Sequence, residues 1–208
     1  MLKNLKLLKL MLNKFLKITL FFTLNFSFFM NQAEAKILTK SKPEYQKAIL
    51  AGGCFWGMQE LFSKFDGVIQ TEVGYIGGTI PNPNYQIVST GLSNYAESIQ
   101  ITFDPNKISY EKILKFFFTI HDPTTQDRQQ NDVGSQYRSA IFYLNDEQKV
   151  IAQNVVDKAN KSGVFKAPVV TKIEKAGEFY EAEAEHQNYL EKYPYGYKCH
   201  FVRNGWKF

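Results

Sequence analysis

Cysteine is almost absent from this 208-residue chain, which holds only Cys54 and Cys199. No Cys-x-x-Cys spacing is present, which weighs against a dithiol oxidoreductase. Histidine is nearly as scarce. His121, His186 and His200 lack metal-ligand spacing, so no metal is expected. There is no internal repeat, low-complexity tract or interior linker, and the composition excludes a disordered chain and a collagenous repeat. The main apolar stretch, residues 18–30, is 13 residues long. A bilayer-crossing helix takes roughly 17–25, so a multi-span membrane protein is excluded as well.

Charge is the one apparent surplus, with 25 Lys+Arg against 20 Asp+Glu and a formal net charge of +5. Its location removes the obvious inference. Lys3, Lys6, Lys9, Lys14 and Lys17 fall in the first 35 residues against a single acid, Glu34, which leaves residues 36–208 nearly neutral. No nucleic-acid surface is implied. A lysine-studded start, a short apolar run and Ala33-Glu34-Ala35 are the three parts of a secretory signal peptide, with cleavage expected after Ala35. The alternative is an uncleaved anchor, which Lys17 shortens. Residues 36–208 are expected to form one exported domain, periplasmic or secreted, without stable membrane insertion. In an oxidising compartment its two cysteines read as a structural disulfide or as a catalytic pair.

Hydrophobic periodicity gives the outline. Ala48–Ala51 reads as a buried strand ending in Gly52-Gly53. Phe55, Met58, Phe62 and Phe65 then recur at helical spacing until Gly67. Val68–Tyr75, Tyr95–Phe103, Ser139–Leu144 and Val169–Glu174 read as strands. Helices are expected from the Ser109 cap to about Ile120, over Asp146–Lys161 and over Glu178–Lys192. The economical arrangement is α+β, a two-layer sandwich in which helices pack on one mixed sheet with a ferredoxin-like core, followed by an irregular C-terminal tail. Gly74–Asn94 and His121–Gln136 are too long for plain connections and are expected to build the site. Gly74-Tyr75-Ile76-Gly77-Gly78 does not open a helix and is no phosphate loop. Glu178, Glu181, Glu183 and Glu185 read as a solvated helix face. Tyr189, Tyr193, Tyr195 and Tyr197 read as packing for the tail, with peptide binding as the alternative.

Two residues stand out chemically. Cys54 follows a strand and two glycines and opens a helix, where unsatisfied amides and the positive dipole end favour a thiolate. A small buried residue at a helix start is the bland alternative. Strand alternation puts Glu97 on the face of Ile99, Ile101 and Phe103. A carboxyl buried there has a raised pKa and donates a proton near neutrality; a solvated strand end is the alternative. Phe55 belongs to the core stripe, whereas Trp56 lies off it, beside the sulfur.

Gly53-Cys54-Phe55-Trp56-Gly57 resembles the signature of the A-type peptide methionine sulfoxide reductases. The likeness continues through Gly74–Gly78, Asn82-Pro83-Asn84-Tyr85, Ala96-Glu97, Asp104-Pro105, His121-Asp122-Pro123-Thr124 and Asn131–Ser139, in the family's order. It covers roughly residues 47–200. The resemblance implies an α+β sandwich that reduces the S epimer of methionine sulfoxide, free or in proteins. It makes Cys54 the nucleophile and Phe55 with Trp56 the pocket for the substrate methyl. Glu97 becomes the acid on the sulfoxide oxygen, helped by Tyr85 and Tyr137, with Asp132 orienting the site.

It further implies a Cys54 sulfenic acid resolved by Cys199 as a disulfide, then an external thioredoxin-like dithiol reductant, with no bound cofactor. A monomer is expected. The chain departs from the family at Tyr95, where His is frequent, and at Lys198, which separates Gly196-Tyr197 from Cys199. With two cysteines, a relay of three thiols is impossible. The rival from another class is a secreted binding module held by a structural Cys54–Cys199 disulfide.

Overall fold

The computed structural model describes residues 44–208, so the signal peptide expected over 1–35 lies outside the described residues. In chain order the elements are β1 (Gln46–Gly52), α1 (Phe55–Phe62), β2 (Val68–Ile76), α2 (Tyr85–Val88), β3 (Ala96–Phe103), α3 (Tyr110–Ile120), β4 (Arg128–Gln129), β5 (Asp132–Val133), β6 (Ser139–Tyr143), α4 (Asp146–Lys161), β7 (Lys172–Lys175), β8 (Tyr180–Glu181) and α5 (Tyr189–Lys192). A single 3-10 turn, Ser135–Tyr137, precedes β6.

Six strands form one sheet in the order β7-β6-β1-β3-β2-β8, and β4 with β5 makes a separate ribbon. Only β6 and β7 run parallel within the sheet. Its middle four strands, joined through α1 and α3, have the ferredoxin-like β-α-β-β-α-β order. Alternation along the strands divides the core. Leu50, Ile99, Ile101 and Ile141 pack against Met58 and Phe62 of α1, Ile113, Leu114 and Phe117 of α3 and Val155 of α4. Ile49, Ala51, Ala140 and Phe142 face the opposite way, under Ala176 and Phe179. The fold is therefore two-layered, with the long helices on one face.

Local chemistry sets the helix starts. Ser109 Oγ accepts from the Lys112 amide at 3.2 Å, and Asn145 Oδ1 accepts from the Gln148 amide at 2.9 Å. Asp146 and Glu147 occupy the first turn of α4, and Lys158 and Lys161 the last, as its dipole favours. The boundaries expected for this helix match those found.

The C-terminal region differs from its reading as one helix over Glu178–Lys192. Tyr180 and Glu181 instead extend the sheet, pairing with Tyr75 and Gly74 of β2. Helix is confined to Tyr189–Lys192, after Asn188 in a left-handed conformation. The open edge of β2 satisfies the segment's backbone, and Gln187 bonds both backbone groups of Val73. These tertiary partners override the helical propensity of an acidic stretch. The strand read at Val169–Glu174 begins later, at Lys172.

Candidate active site

β1 delivers the chain to Gly53, whose φ of +103° turns it sharply into α1. A β-carbon on Gly53 would also press on the Gln129 side chain at 2.7 Å. Cys54 sits at the N-cap position and is buried. Glu97, second residue of β3 and opposite Tyr75 of β2, comes to the start of α1. Its Oε2 accepts the Phe55 backbone N–H at 3.2 Å.

Glu97 is only 2% exposed. Burial pushes its carboxyl up to about 8, with the Phe55 hydrogen bond pulling the other way and Asp132 and Cys199 adding repulsion. It is thus mostly a neutral acid at pH 7, as strand alternation suggests.

The two long connections meet over this pair. Asn84 caps α2 by accepting the Ile87 amide at 2.9 Å and so places Tyr85. β5 supplies Asp132, and the 3-10 turn supplies Tyr137. Cys54, Phe55, Trp56, Tyr85, Glu97, Asp132, Tyr137 and Tyr197 line one pocket of about 240 Å³. Every residue expected in the substrate site is there, although the residues come from five separate elements and connections. Burial raises the phenols of both Tyr85 and Tyr137, with Glu97 adding to it, so both remain proton donors.

The tail completes the site. Cys199 is buried beside Cys54, its thiol within hydrogen-bond reach of the Cys54 sulfur. Both cysteines are free. Their shared proton divides the titration. Cys54 is held well above its ordinary value, first by the Cys199 contact, then by burial and the Glu97 charge. Cys199 is pulled down, first by accepting from Cys54 and, against burial, by His200. The thiolate expected at Cys54 is therefore not the resting form. The helix start offsets little of this, because the Phe55 amide serves Glu97 and only the Trp56 amide reaches the Cys54 sulfur.

Several site residues depart from what the sequence suggests. Tyr197, expected in tail packing, lines the pocket and donates to Asp132 Oδ1 at 3.0 Å. Tyr189 stacks on Trp56 with ring centroids 3.8 Å apart, whereas Tyr195 is fully exposed and packs nothing. Glu183, expected on a solvated face, accepts from Tyr75 Oη and from the Tyr85 amide, both at 2.8 Å. His186 Nδ1 accepts the Trp56 indole N–H at 3.1 Å. The Tyr95 hydroxyl donates to the Ile80 carbonyl at 2.7 Å and braces the first long connection. No pattern in the sequence marks these partners, because each acts across a large chain separation.

A family model described as "Peptide methionine sulfoxide reductase" matches residues 46–207. "Peptide methionine sulfoxide reductase MsrA" of Mycolicibacterium paratuberculosis is 56% identical over 162 residues, covering 78% of this chain and 92% of that protein. The crystal structure of Saccharomyces cerevisiae Mxr1 in reduced form superposes with a TM-score of 0.74 at 34% identity, over 79% of this chain and 96% of that one. Mxr1 in complex with Trx2 gives a TM-score of 0.53 at 24% identity over 80% and 97%, a likeness of fold.

Proposed function

The chain belongs to the peptide methionine sulfoxide reductase family, and on that premise we propose that it reduces the S epimer of methionine sulfoxide through Cys54, with Cys199 as the resolving thiol. The observation that carries the reading is the neutral, buried Glu97 carboxyl beside Cys54, in a pocket that also holds two phenol donors. A sulfoxide sulfur is a poor electrophile while its oxygen carries negative charge. Glu97, Tyr85 and Tyr137 supply donors to that oxygen, and a positioned acid typically contributes ~10²–10⁴-fold. Phe55 and Trp56 offer an apolar wall to the S-methyl group.

The resting protonation of Glu97 also favours the nucleophile. The Glu97 charge is one of the causes that raise the Cys54 thiol, and a protonated Glu97 removes that cause. Cys54 sulfur then attacks the sulfoxide sulfur. Two electrons pass to the substrate, methionine leaves, and the oxygen with one proton remains on Cys54 as a sulfenic acid. Cys199 displaces that oxygen as water to form the Cys54–Cys199 disulfide, which an external dithiol reduces by exchange. The Mxr1–Trx2 complex supports a thioredoxin-like protein in that role. Beyond Trp56 lies a groove of about 550 Å³ lined by Gln59, Lys64, Asn188 and Tyr189, which leaves room for a polypeptide around an oxidised methionine. The charge pattern of residues 1–35 supports export of the enzyme.

Incubation with each epimer of a blocked methionine sulfoxide and dithiothreitol tests the reading. Loss of the S epimer alone is expected; no turnover of either, or turnover of both, contradicts it.

A further inference from the structure

His200 lies buried behind the nucleophile loop, and neither the proposed sulfoxide chemistry nor the pocket uses it. Its ring closes over the first turn of α1: a β-carbon on Gly57 would stand 2.7 Å from Nδ1. The orientation is fixed at both ends. Nε2 is 2.8 Å from the Gly52 carbonyl oxygen, and Nδ1 is 2.9 Å from Cys199 Sγ. A carbonyl oxygen only accepts, so Nε2 carries a proton and donates it there. In the neutral ring this leaves Nδ1 as the bare acceptor, aimed at the Cys199 thiol. Sequence neighbours rarely meet in this way. Here the tail is pinned on either side of the pair, by Gln130 Nε2 donating to the Cys199 carbonyl at 2.6 Å and by the Arg203 amide donating to the Thr119 carbonyl at 2.9 Å.

We infer that His200 is the general base of the resolving step, its Nδ1 taking the Cys199 thiol proton as that sulfur attacks oxidised Cys54. The inference rests on the sulfenic acid reading above and deepens it: the Cys54 thiol is the main cause that holds Cys199 down, and once Cys54 is oxidised that cause is gone and Cys199 enters the step as a thiol beside Nδ1. One S–S bond forms and the Cys54 S–O bond breaks. Cys199 sulfur is oxidised and Cys54 sulfur reduced. The departing hydroxide takes a proton from the Glu97 carboxyl and leaves as water, and the thiol's own proton stays on His200 until solvent removes it. Fixing Nε2 on Gly52 does for Cys199 what an orienting acceptor does for any catalytic imidazole: it sets the tautomer before the reaction. The other titratable or charged groups around the pair are Cys54, Glu97 from β3, Asp132 from β5, His121 from the end of α3, and Tyr197 and Arg203 from the tail.

The test is a single turnover of the reduced protein mixed with methionine-S-sulfoxide, quenched in acid and read for methionine and, by mass, for sulfenic acid and disulfide. His200→Gln fills similar space and cannot take up a proton. Methionine formation in this variant is expected to stay within about threefold, whereas disulfide formation slows by ~10²-fold or more, the usual contribution of a general base. Dimedone then labels Cys54, and the slow step speeds up as pH rises and Cys199 ionises without help.

An unchanged disulfide rate in His200→Gln overturns the inference. Equal loss of both steps, in this variant and in His200→Asn, also overturns it, because His200 then serves the fold and not the proton. Failure of the unsubstituted protein to form any Cys54–Cys199 disulfide refutes the underlying reading instead, so the two failures are distinguishable.

Discussion

The backbone N–H of Phe55 donates to Glu97 Oε2 at 3.2 Å, so the amide that opens α1 serves the acid and not the neighbouring sulfur. This one bond couples the two chemical centres. It anchors Glu97 at the mouth of a helix while burial keeps the carboxyl neutral, and it withholds from Cys54 part of the stabilisation that its position would supply.

Glu97→Gln is expected to lower kcat by ~10²–10⁴-fold with a smaller change in KM, because the acid acts on charge developing at the sulfoxide oxygen. Since the Glu97 carboxyl titrates at about 8, activity that depends on it falls as pH rises through that value. Stability follows the same direction. Unfolding returns Glu97 to an ordinary carboxyl, so between the unfolded and folded values the native state binds more protons and loses stability as pH rises. At pH 7 the penalty is on the order of 3 kcal/mol. Urea titrations from pH 5 to 8 should show this slope in the unsubstituted protein and its absence in Glu97→Gln.

Trp56 is held from two sides, by the His186 hydrogen bond at 3.1 Å and by Tyr189 stacked at 3.8 Å. His186→Leu removes an acceptor while keeping bulk, and the loss of one such bond is about 1 kcal/mol. We expect KM for methionine sulfoxide to rise about fivefold with kcat changed less than about twofold. Burial lowers the His186 pKa, so the ring is neutral near pH 7 and free to accept. Steady-state kinetics on both variants of the clamp, His186→Leu and Tyr189→Leu, check the assignment; a fall in kcat with KM unchanged would contradict it.

Glu183 ties the first long connection to the sheet through the Tyr85 amide and Tyr75 Oη. Burial works against its charge, but hydrogen bonds from Tyr85 and Tyr75 outweigh it and hold the carboxyl below its usual range. That stability is present above the ordinary carboxylate pKa and is lost as pH falls through the depressed one. Glu183→Ala should destabilise the protein by about 1–3 kcal/mol at pH 7 and lower kcat through a misplaced Tyr85. Glu183→Gln should recover part of both, since its amide oxygen still accepts. Thermal melts with parallel kcat measurements check this.

Much of this site is legible in the sequence, and for identifiable reasons. Cys54 is announced by a strand, two glycines and a change of period. Glu97 is announced by the wrong polarity on a core-facing strand position. Tyr85, Tyr137 and Asp132 carry no such local signal; they follow from the family resemblance, supported by the length of the connections that hold them. His186, Glu183 and Tyr197 escape a sequence reading because their partners are tertiary. The Trp56–His186 bond spans 130 residues and the Tyr75–Glu183 bond 108. The C-terminal segment reads as one helix and folds otherwise for a related reason: an unpaired edge of β2 captures Tyr180 and Glu181. The cysteine titration turns first on the contact between Cys54 and Cys199, 145 residues apart in the chain, which no local pattern marks.

The most direct test of Cys54 as the nucleophile is a single turnover of Cys199→Ser with a stoichiometric excess of methionine-S-sulfoxide and no added reductant. One equivalent of methionine per protein is expected, with a sulfenic acid on Cys54 that dimedone traps and no further turnover until a thiol is supplied. No methionine, or methionine formed without label on Cys54, would contradict it.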